Sequence, residues 1–130
     1  MIDAPYECVA PKVVDGDSIR CGALRLRLLG IDAPELSVCP RHRRGLCAPG
    51  DPVASKRSLQ RAVALGSVRY SLVLKDRFDR SVVMAWVAGQ SLSCWQLKAR
   101  QAVYKRRWDN GGLVARTCPS AIVLMSRAGR

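Results

Sequence analysis

The sequence predicts an α+β fold that is mainly β, a five-stranded, partly open barrel with about three helices packed on it. Three observations predict it. The length of 130 residues suits one domain spanning residues 1–130. Short apolar or alternating runs, separated by turn residues, fill the first third of the chain and recur after residue 67. Two further stretches begin with residues that cap helices.

The first strands are predicted on either side of a turn. Asp15-Gly16-Asp17 separates the apolar runs 8–14 and 18–29, which indicates a hairpin and leaves room for a third strand. Leucines alternate with Arg25 and Arg27 in the second run. One face of this strand is therefore expected to be buried and the other basic.

The rest of the chain is predicted as helix, hairpin and two helices. Asp51 followed by Pro52 is typical of a helix start, and Ser91 is a good cap for a second helix. The predicted elements are a helix over 51–64, strands over 68–75 and 81–88, a helix over 91–101 and a short last helix from 109.

Six cysteines in a short chain predict disulfides, and hence a secreted or periplasmic protein. A zinc site fits poorly, because the chain has one histidine and no Cys-x-x-Cys pair. Buried free thiols in a cytosolic protein are the alternative. The expected pairs are Cys39 with Cys47 across the surface loop 37–50, Cys94 with Cys118 between the last helices, and Cys8 with Cys21 as the remaining pair.

The chain is strongly basic, with 22 Lys and Arg against 10 Asp and Glu, a net charge of +12. This excess favours a polyanionic partner, although basic residues also keep a small domain in solution. The loop residues Arg41, Arg43 and Arg44 fit any such partner. No apolar run reaches the roughly 18 residues of a membrane span, so we expect no membrane insertion. We also expect a monomer.

Four of the few acidic residues cluster: Asp15, Asp17, Asp32 and Glu35. If the second strand folds back across the sheet, Asp32 returns towards Asp17. Two nearby carboxylates repel unless a cation separates them, and oxygen ligands suit Ca²⁺. The alternative is an ordinary Asp-Gly turn followed by a strand exit.

Phosphate chemistry requires positive groups beside such a metal. Arg27 and Arg80 are candidates, because guanidinium groups bind phosphate oxygens and stabilise the charge of a phosphoryl transition state. Glu35 is the candidate base for the attacking water. Taken singly, each arginine is equally compatible with a solvated surface charge.

Two segments resemble the staphylococcal nuclease (thermonuclease) family: Val-Val-Asp-Gly-Asp-Ser-Ile at 13–19 and Arg-Leu-Leu-Gly-Ile-Asp-Ala-Pro-Glu at 27–35. The later Asp-Arg-Phe-Asp-Arg at 76–80, followed by an apolar strand, matches the same order, and the similarity covers about 8–118. The resemblance implies an OB-fold barrel and a Ca²⁺-dependent phosphodiesterase. Such an enzyme cuts single-stranded DNA or RNA and leaves 3′-phosphates.

The same resemblance implies roles for individual residues. They are Asp17 and Asp32 as metal carboxylates, Ala33 as a carbonyl ligand, Glu35 as general base, and Arg27 and Arg80 as phosphate-binding arginines.

Three positions depart from the family pattern, the mildest being Ser18, which stands where Thr is frequent. Phe78 stands where Tyr is frequent and retains a ring for stacking on a base, whereas Asp79 stands where Gly is frequent and adds a negative charge near Arg80. Trp108 is expected either as a second stacking surface or as a core residue.

Three functions compete at this point. The first is a metal-dependent nuclease. The second is a noncatalytic OB-fold binder of nucleic acid, and the third is a secreted accessory protein acting on another polyanion, such as an acidic exopolysaccharide. Binding alone does not require carboxylates facing a phosphate, which favours the nuclease.

Overall fold

The chain folds into a curled half-barrel sheet with short helices against it, in a computed structural model that describes residues 4–37, 39, 41, 45 and 47–122. The strands are β1 (Tyr6–Cys8), β2 (Lys12–Asp15), β3 (Ser18–Cys21), β4 (Leu24–Leu28), β5 (Ile31–Asp32), β6 (Val68–Lys75), β7 (Ser81–Val87), β8 (Gln90–Ser91) and β9 (Val103–Tyr104). The helices are α1 (Pro52–Val63), α2 (Leu92–Lys98) and α3 (Leu113–Thr117), followed by a helical turn at 119–122.

The main sheet has the strand order β1-β6-β7-β4-β3-β2, and β8 adds to one end of β7. Neighbouring strands are antiparallel except β4 and β7, which are parallel with Leu28 opposite Val83. A separate pair joins β5 to β9. The coarse prediction of an α+β, barrel-like fold is therefore confirmed. Among the described residues the main sheet contains more than the five strands expected, so the five-stranded OB-fold barrel is not confirmed.

The first third contains more strands than the apolar runs predict. The run 8–14 is interrupted at Ala10, whose φ is 52°. As a result β1 leaves β2 and pairs with β6 instead. The run 18–29 turns back at Gly22, whose φ of 64° is accessible to glycine at little cost, and so forms the hairpin β3–β4.

The first two helices begin as predicted and end earlier, whereas the last helix begins at Leu113 rather than at Asp109. The Asp51 carboxylate accepts the Val53 N–H at 2.9 Å, which caps α1. The Ser91 hydroxyl caps α2 in the same way, accepting the Cys94 N–H at 3.2 Å. The chain leaves α2 at Lys98 rather than at Gln101, because Arg100 takes a left-handed φ of 58°.

The core lies between the concave face of the sheet and the helices. Removing the apolar side chains of this core from water supplies the main driving force for folding. Its largest fully buried apolar members are Ile19, Leu26, Leu28, Leu29, Ile31, Leu59, Val68, Val83, Val87, Leu92 and Leu97.

All three expected disulfides are present: Cys8–Cys21, Cys39–Cys47 and Cys94–Cys118. The first joins β1 to β3, the second closes the loop before α1, and the third ties α2 to the end of α3. This agrees with an oxidising compartment. No helix among the described residues is long and apolar enough to cross a membrane.

Candidate active site

Asp17 lies at the turn between β2 and β3, where it is buried. Its Oδ2 accepts the Ala33 N–H at 2.8 Å and lies 2.9 Å from Nη1 of Arg27. Its Oδ1 accepts the Ser18 hydroxyl at 3.0 Å. These contacts fix the orientation of the carboxylate and attach the turn to the chain after β5.

Asp32 reaches the same place because β5 pairs with β9, with Asp32 opposite Val103. Its Oδ1 lies 3.8 Å from Nη2 of Arg27, and the same Nη2 donates to the Ile31 carbonyl at 3.1 Å. Both carboxylates are buried and face one guanidinium. The structure therefore brings Asp17, Asp32 and Arg27 together, and Asp32 returns towards Asp17 as expected from the sequence.

Burial and charge together set the ionisation of this cluster. Burial disfavours the charged forms of Asp17 and Arg27, but their ion pair prevails, so the pKa of Asp17 is lowered and the pKa of Arg27 is raised. Burial, and then the neighbouring charge of Asp17, raise the pKa of Asp15 to about 7. At neutral pH, Asp17 and Arg27 are both charged, while Asp15 is near the midpoint of its titration.

A groove of about 770 Å³ opens beside this cluster. Arg27 and Asp32 lie at its floor, and Glu35 and Arg80 also line it. The predicted catalytic side chains thus share one cavity, although they come from separate segments of the chain. Asp17 and Ala33 lie behind this surface and contact the groove through Arg27 and Asp32.

Arg80 is positioned by Asp76 within the β6–β7 loop. The Asp76 carboxylate accepts both the Arg80 backbone N–H at 2.9 Å and its Nε–H at 2.8 Å. Although burial acts in the opposite direction, these hydrogen bonds and that of the Phe78 N–H lower the pKa of Asp76. Asp76 thus holds both the backbone and the guanidinium of Arg80, the latter through Nε.

The carboxylate of Asp79 pairs with Lys75, whereas Arg80 pairs with Asp76. The φ of Asp79 is 62°, a left-handed value that explains why glycine suits this position. Its carboxylate is 87% exposed and lies 3.5 Å from Nζ of Lys75. The extra negative charge is therefore directed to solvent and to Lys75.

Phe78 and Trp108 stand at the rim of the groove, 56% and 41% exposed. The Trp108 ring lies 5.0 Å from the guanidinium of Arg27, and the Phe78 ring lies 5.4 Å from that of Arg80. Each ring thus covers one of the two arginines. The exposure of Trp108 favours the stacking role over the core role.

The donor set fits a Ca²⁺ ion in its chemistry. Two buried carboxylates share one guanidinium, which leaves the cluster with an excess of negative charge. Within the described part of the chain, no group of three or more His, Cys, Asp or Glu side chains is placed to hold a metal. If a Ca²⁺ ion binds here, Asp17 and Asp32 would supply two carboxylates and Ala33 a carbonyl, with water filling the remaining positions that Ca²⁺ requires.

The structure adds site residues that the sequence did not single out. Arg77 and Arg107 also line the groove, next to the two aromatic residues. Behind it, the Gln96 amide donates to the carbonyls of Gly16 at 2.8 Å and Ser55 at 2.9 Å, so that α2 supports the turn. The available signal was a long polar side chain among the buried residues of a helix.

Of the three loop arginines, Arg41 is exposed, whereas Arg43 and Arg44 lie outside the described residues.

In comparisons with known proteins, the chain matches no family model and no curated sequence.

Proposed function

We propose that this protein is a Ca²⁺-dependent phosphodiesterase that hydrolyses DNA and RNA and leaves 3′-phosphates. One observation carries the proposal: Arg27, Glu35 and Arg80 line a single groove whose floor meets the Asp17 and Asp32 carboxylates. The motif resemblance to staphylococcal nucleases supports the class of products. The three disulfides support secretion or a periplasmic location.

The side chains divide the chemistry in a simple way. Glu35 takes a proton from the attacking water, since a carboxylate within reach of the substrate can act as general base. Arg27 and Arg80 neutralise the charge that develops on the phosphoryl oxygens. A Ca²⁺ ion held by Asp17 and Asp32 would supply Lewis-acid polarisation of the phosphate. Phe78 and Trp108 offer faces on which unpaired bases stack, which favours a single-stranded substrate.

The buried carboxylates weigh against a purely binding role. A phosphate entering the groove meets negative charge from Asp32 and Glu35 beside the arginines. Such charge weakens anion binding unless a cation compensates it or a carboxylate reacts. In a noncatalytic OB-fold binder, or in a protein specific for an acidic exopolysaccharide, this negative charge would only weaken binding of the anionic partner.

The Glu35→Gln variant tests this proposal. It removes the base while keeping the size of the side chain, so turnover of single-stranded DNA at saturating Ca²⁺ should fall about 100-fold or more. Oligonucleotide affinity should be retained. Glu7→Gln is the matched control, because Glu7 lies on β1 in an exposed ion pair with Arg69. Its turnover should equal that of the parent.

Parent-level hydrolysis by Glu35→Gln would remove the catalytic assignment. If the parent protein also fails to hydrolyse DNA yet binds it, the noncatalytic binder becomes the better description.

A further inference from the structure

Three basic side chains stand in a row across β2, β3 and β4. Lys12 is the cross-strand partner of Arg20, and Arg20 is the partner of Arg25. All three are exposed. Because adjacent strands lie about 4.8 Å apart, the backbones of the three residues in this basic row lie within about 10 Å.

The basic row continues the floor of the groove. Arg25 and Arg27 are two residues apart on β4, so their side chains leave the same face of the sheet. Arg27 lies opposite Ser18 on β3, two residue pairs along from Arg20 and Arg25 and so next to them on the same face. Nη2 of Arg25 also donates to the Phe78 carbonyl, in the loop that forms the groove rim.

Cations placed directly opposite one another destabilise a sheet. Within the described part of the chain, no acidic side chain forms an ion pair with Lys12, Arg20 or Arg25. An anion from outside the protein would relieve this repulsion. The arginine fork suits phosphate oxygens in particular, since it forms two parallel hydrogen bonds to them.

We propose that the basic row binds the phosphate backbone of a nucleic acid strand where it runs out of the groove, so that the protein prefers long strands to short ones. The inference rests on the proposed function, because it takes the groove as the place where a strand is cut. A basic track beside exposed aromatic rings is the usual arrangement for binding single strands without sequence preference.

The test compares two double variants of the full chain in a chelator, where the proposed hydrolysis is suppressed. Lys12→Gln with Arg20→Gln removes two charges from the basic row and leaves Arg25 to hold the loop. Arg57→Gln with Arg61→Gln removes two charges from the exposed side of α1 and is the control. Thermal unfolding followed by circular dichroism confirms that both variants are folded.

The probes are fluorescent oligothymidylates of about 3 and about 20 nucleotides, read by anisotropy across a salt series. In the basic-row variant, the Kd of the long strand should rise about 10-fold at low salt. The slope of log K against log salt should shrink by about 1.4, since each lost phosphate contact on a single strand contributes about 0.7. Affinity for the short strand, and both affinities of the control variant, should change less than about 2-fold.

An equal loss of long-strand affinity in both double variants, or no loss in the basic-row variant, would overturn the inference. Polygalacturonate is the competing polyanion. If it binds more tightly than the long strand and the basic-row variant loses that binding, the row serves a polysaccharide instead. Hydrolysis by the parent protein in Ca²⁺ is scored separately, so the basic row and the proposed function fail independently.

Discussion

Gly16 lies where the turn that carries Asp17 passes directly over α1. A Cβ at this position would overlap Oγ of Ser55 and lie 2.7 Å from Cβ of Ala33. The backbone can therefore approach α1 this closely only without a side chain. The turn and the segment after β5 are held together at this point, behind both candidate metal carboxylates.

Gly16→Ala should destabilise the protein by about 1–3 kcal/mol, because overpacking must push Ser55 or the turn aside. Ser55 is constrained by the hydrogen bond from its hydroxyl to the Gln101 carbonyl at 2.6 Å. Gly66→Ala is the control, since its Cβ would meet only Cγ1 of Val87 at an ordinary 3.7 Å. The free energy of unfolding in urea should change by less than about 0.5 kcal/mol for the control. Equal stability of Gly16→Ala and the parent would show that the contact is not restrictive.

Prediction from sequence succeeded for residues whose placement follows from local pattern. Alternation along β4 put Arg27 on the basic face, and the acidic cluster pointed to the convergence of Asp17 and Asp32. It could not place Gln96, whose partners Gly16 and Ser55 come from two distant segments. The role of Asp76 in holding Arg80 was likewise hidden, since it depends on the conformation of the loop.

Asp109 is buried and links β9 to α3, between the groove-lining residues Trp108 and Asn110. Its carboxylate accepts the N–H groups of Val114 at 2.9 Å and Ala115 at 3.0 Å, and the Tyr104 hydroxyl at 2.7 Å. It was expected to begin the last helix. Instead it caps α3 from outside the helix, after a turn that places Trp108 at the groove rim.

Asp109→Asn should lower the pKa of Tyr104, which burial and the Asp109 carboxylate raise to about 12. Because the folded-state pKa lies above the ordinary value of 10, this tyrosine contributes stability below pH 10 that is lost as the pH rises through about 12. The variant should lose part of that pH dependence. Ultraviolet titration of phenolate formation measures the shift, and Tyr104→Phe identifies which transition belongs to Tyr104. An unchanged transition in Asp109→Asn would mean that the carboxylate does not set the pKa.

Strands were predicted accurately where the turn that bounds them can be recognised from a few adjacent residues. The strand 68–75 is found as expected, and the strand after it ends one residue early, because the polar loop between them marks the hairpin clearly. Gly22 was not identified as a turn residue, so β3 and β4 were read as one long strand. The short β1 was missed because its partner, β6, lies about 60 residues away in the sequence.

At the scale of the whole molecule, the cysteine pattern was more informative than the strand pattern. The pairs Cys39–Cys47 and Cys94–Cys118 follow from the single loop and the consecutive helices that they join, whereas Cys8–Cys21 was the remaining pair. It links β1, at one end of the strand order, to β3 near the other end. The sheet order was not predictable, because the parallel contact between β4 and β7 brings together strands separated by α1 and β6. That contact also brings Arg27 opposite Val82, close to the loop that carries Arg80.

Hydrolysis of single-stranded DNA by the parent protein, with Ca²⁺ and with a chelator, tests the central claim most directly. The account predicts that Ca²⁺ supports degradation to fragments with 3′-phosphate ends, identified by mass spectrometry. Chelation should abolish the cleavage and leave the circular dichroism spectrum nearly unchanged. Undiminished cleavage in the chelator, or intact DNA at saturating Ca²⁺ with a protein that is folded, would contradict it.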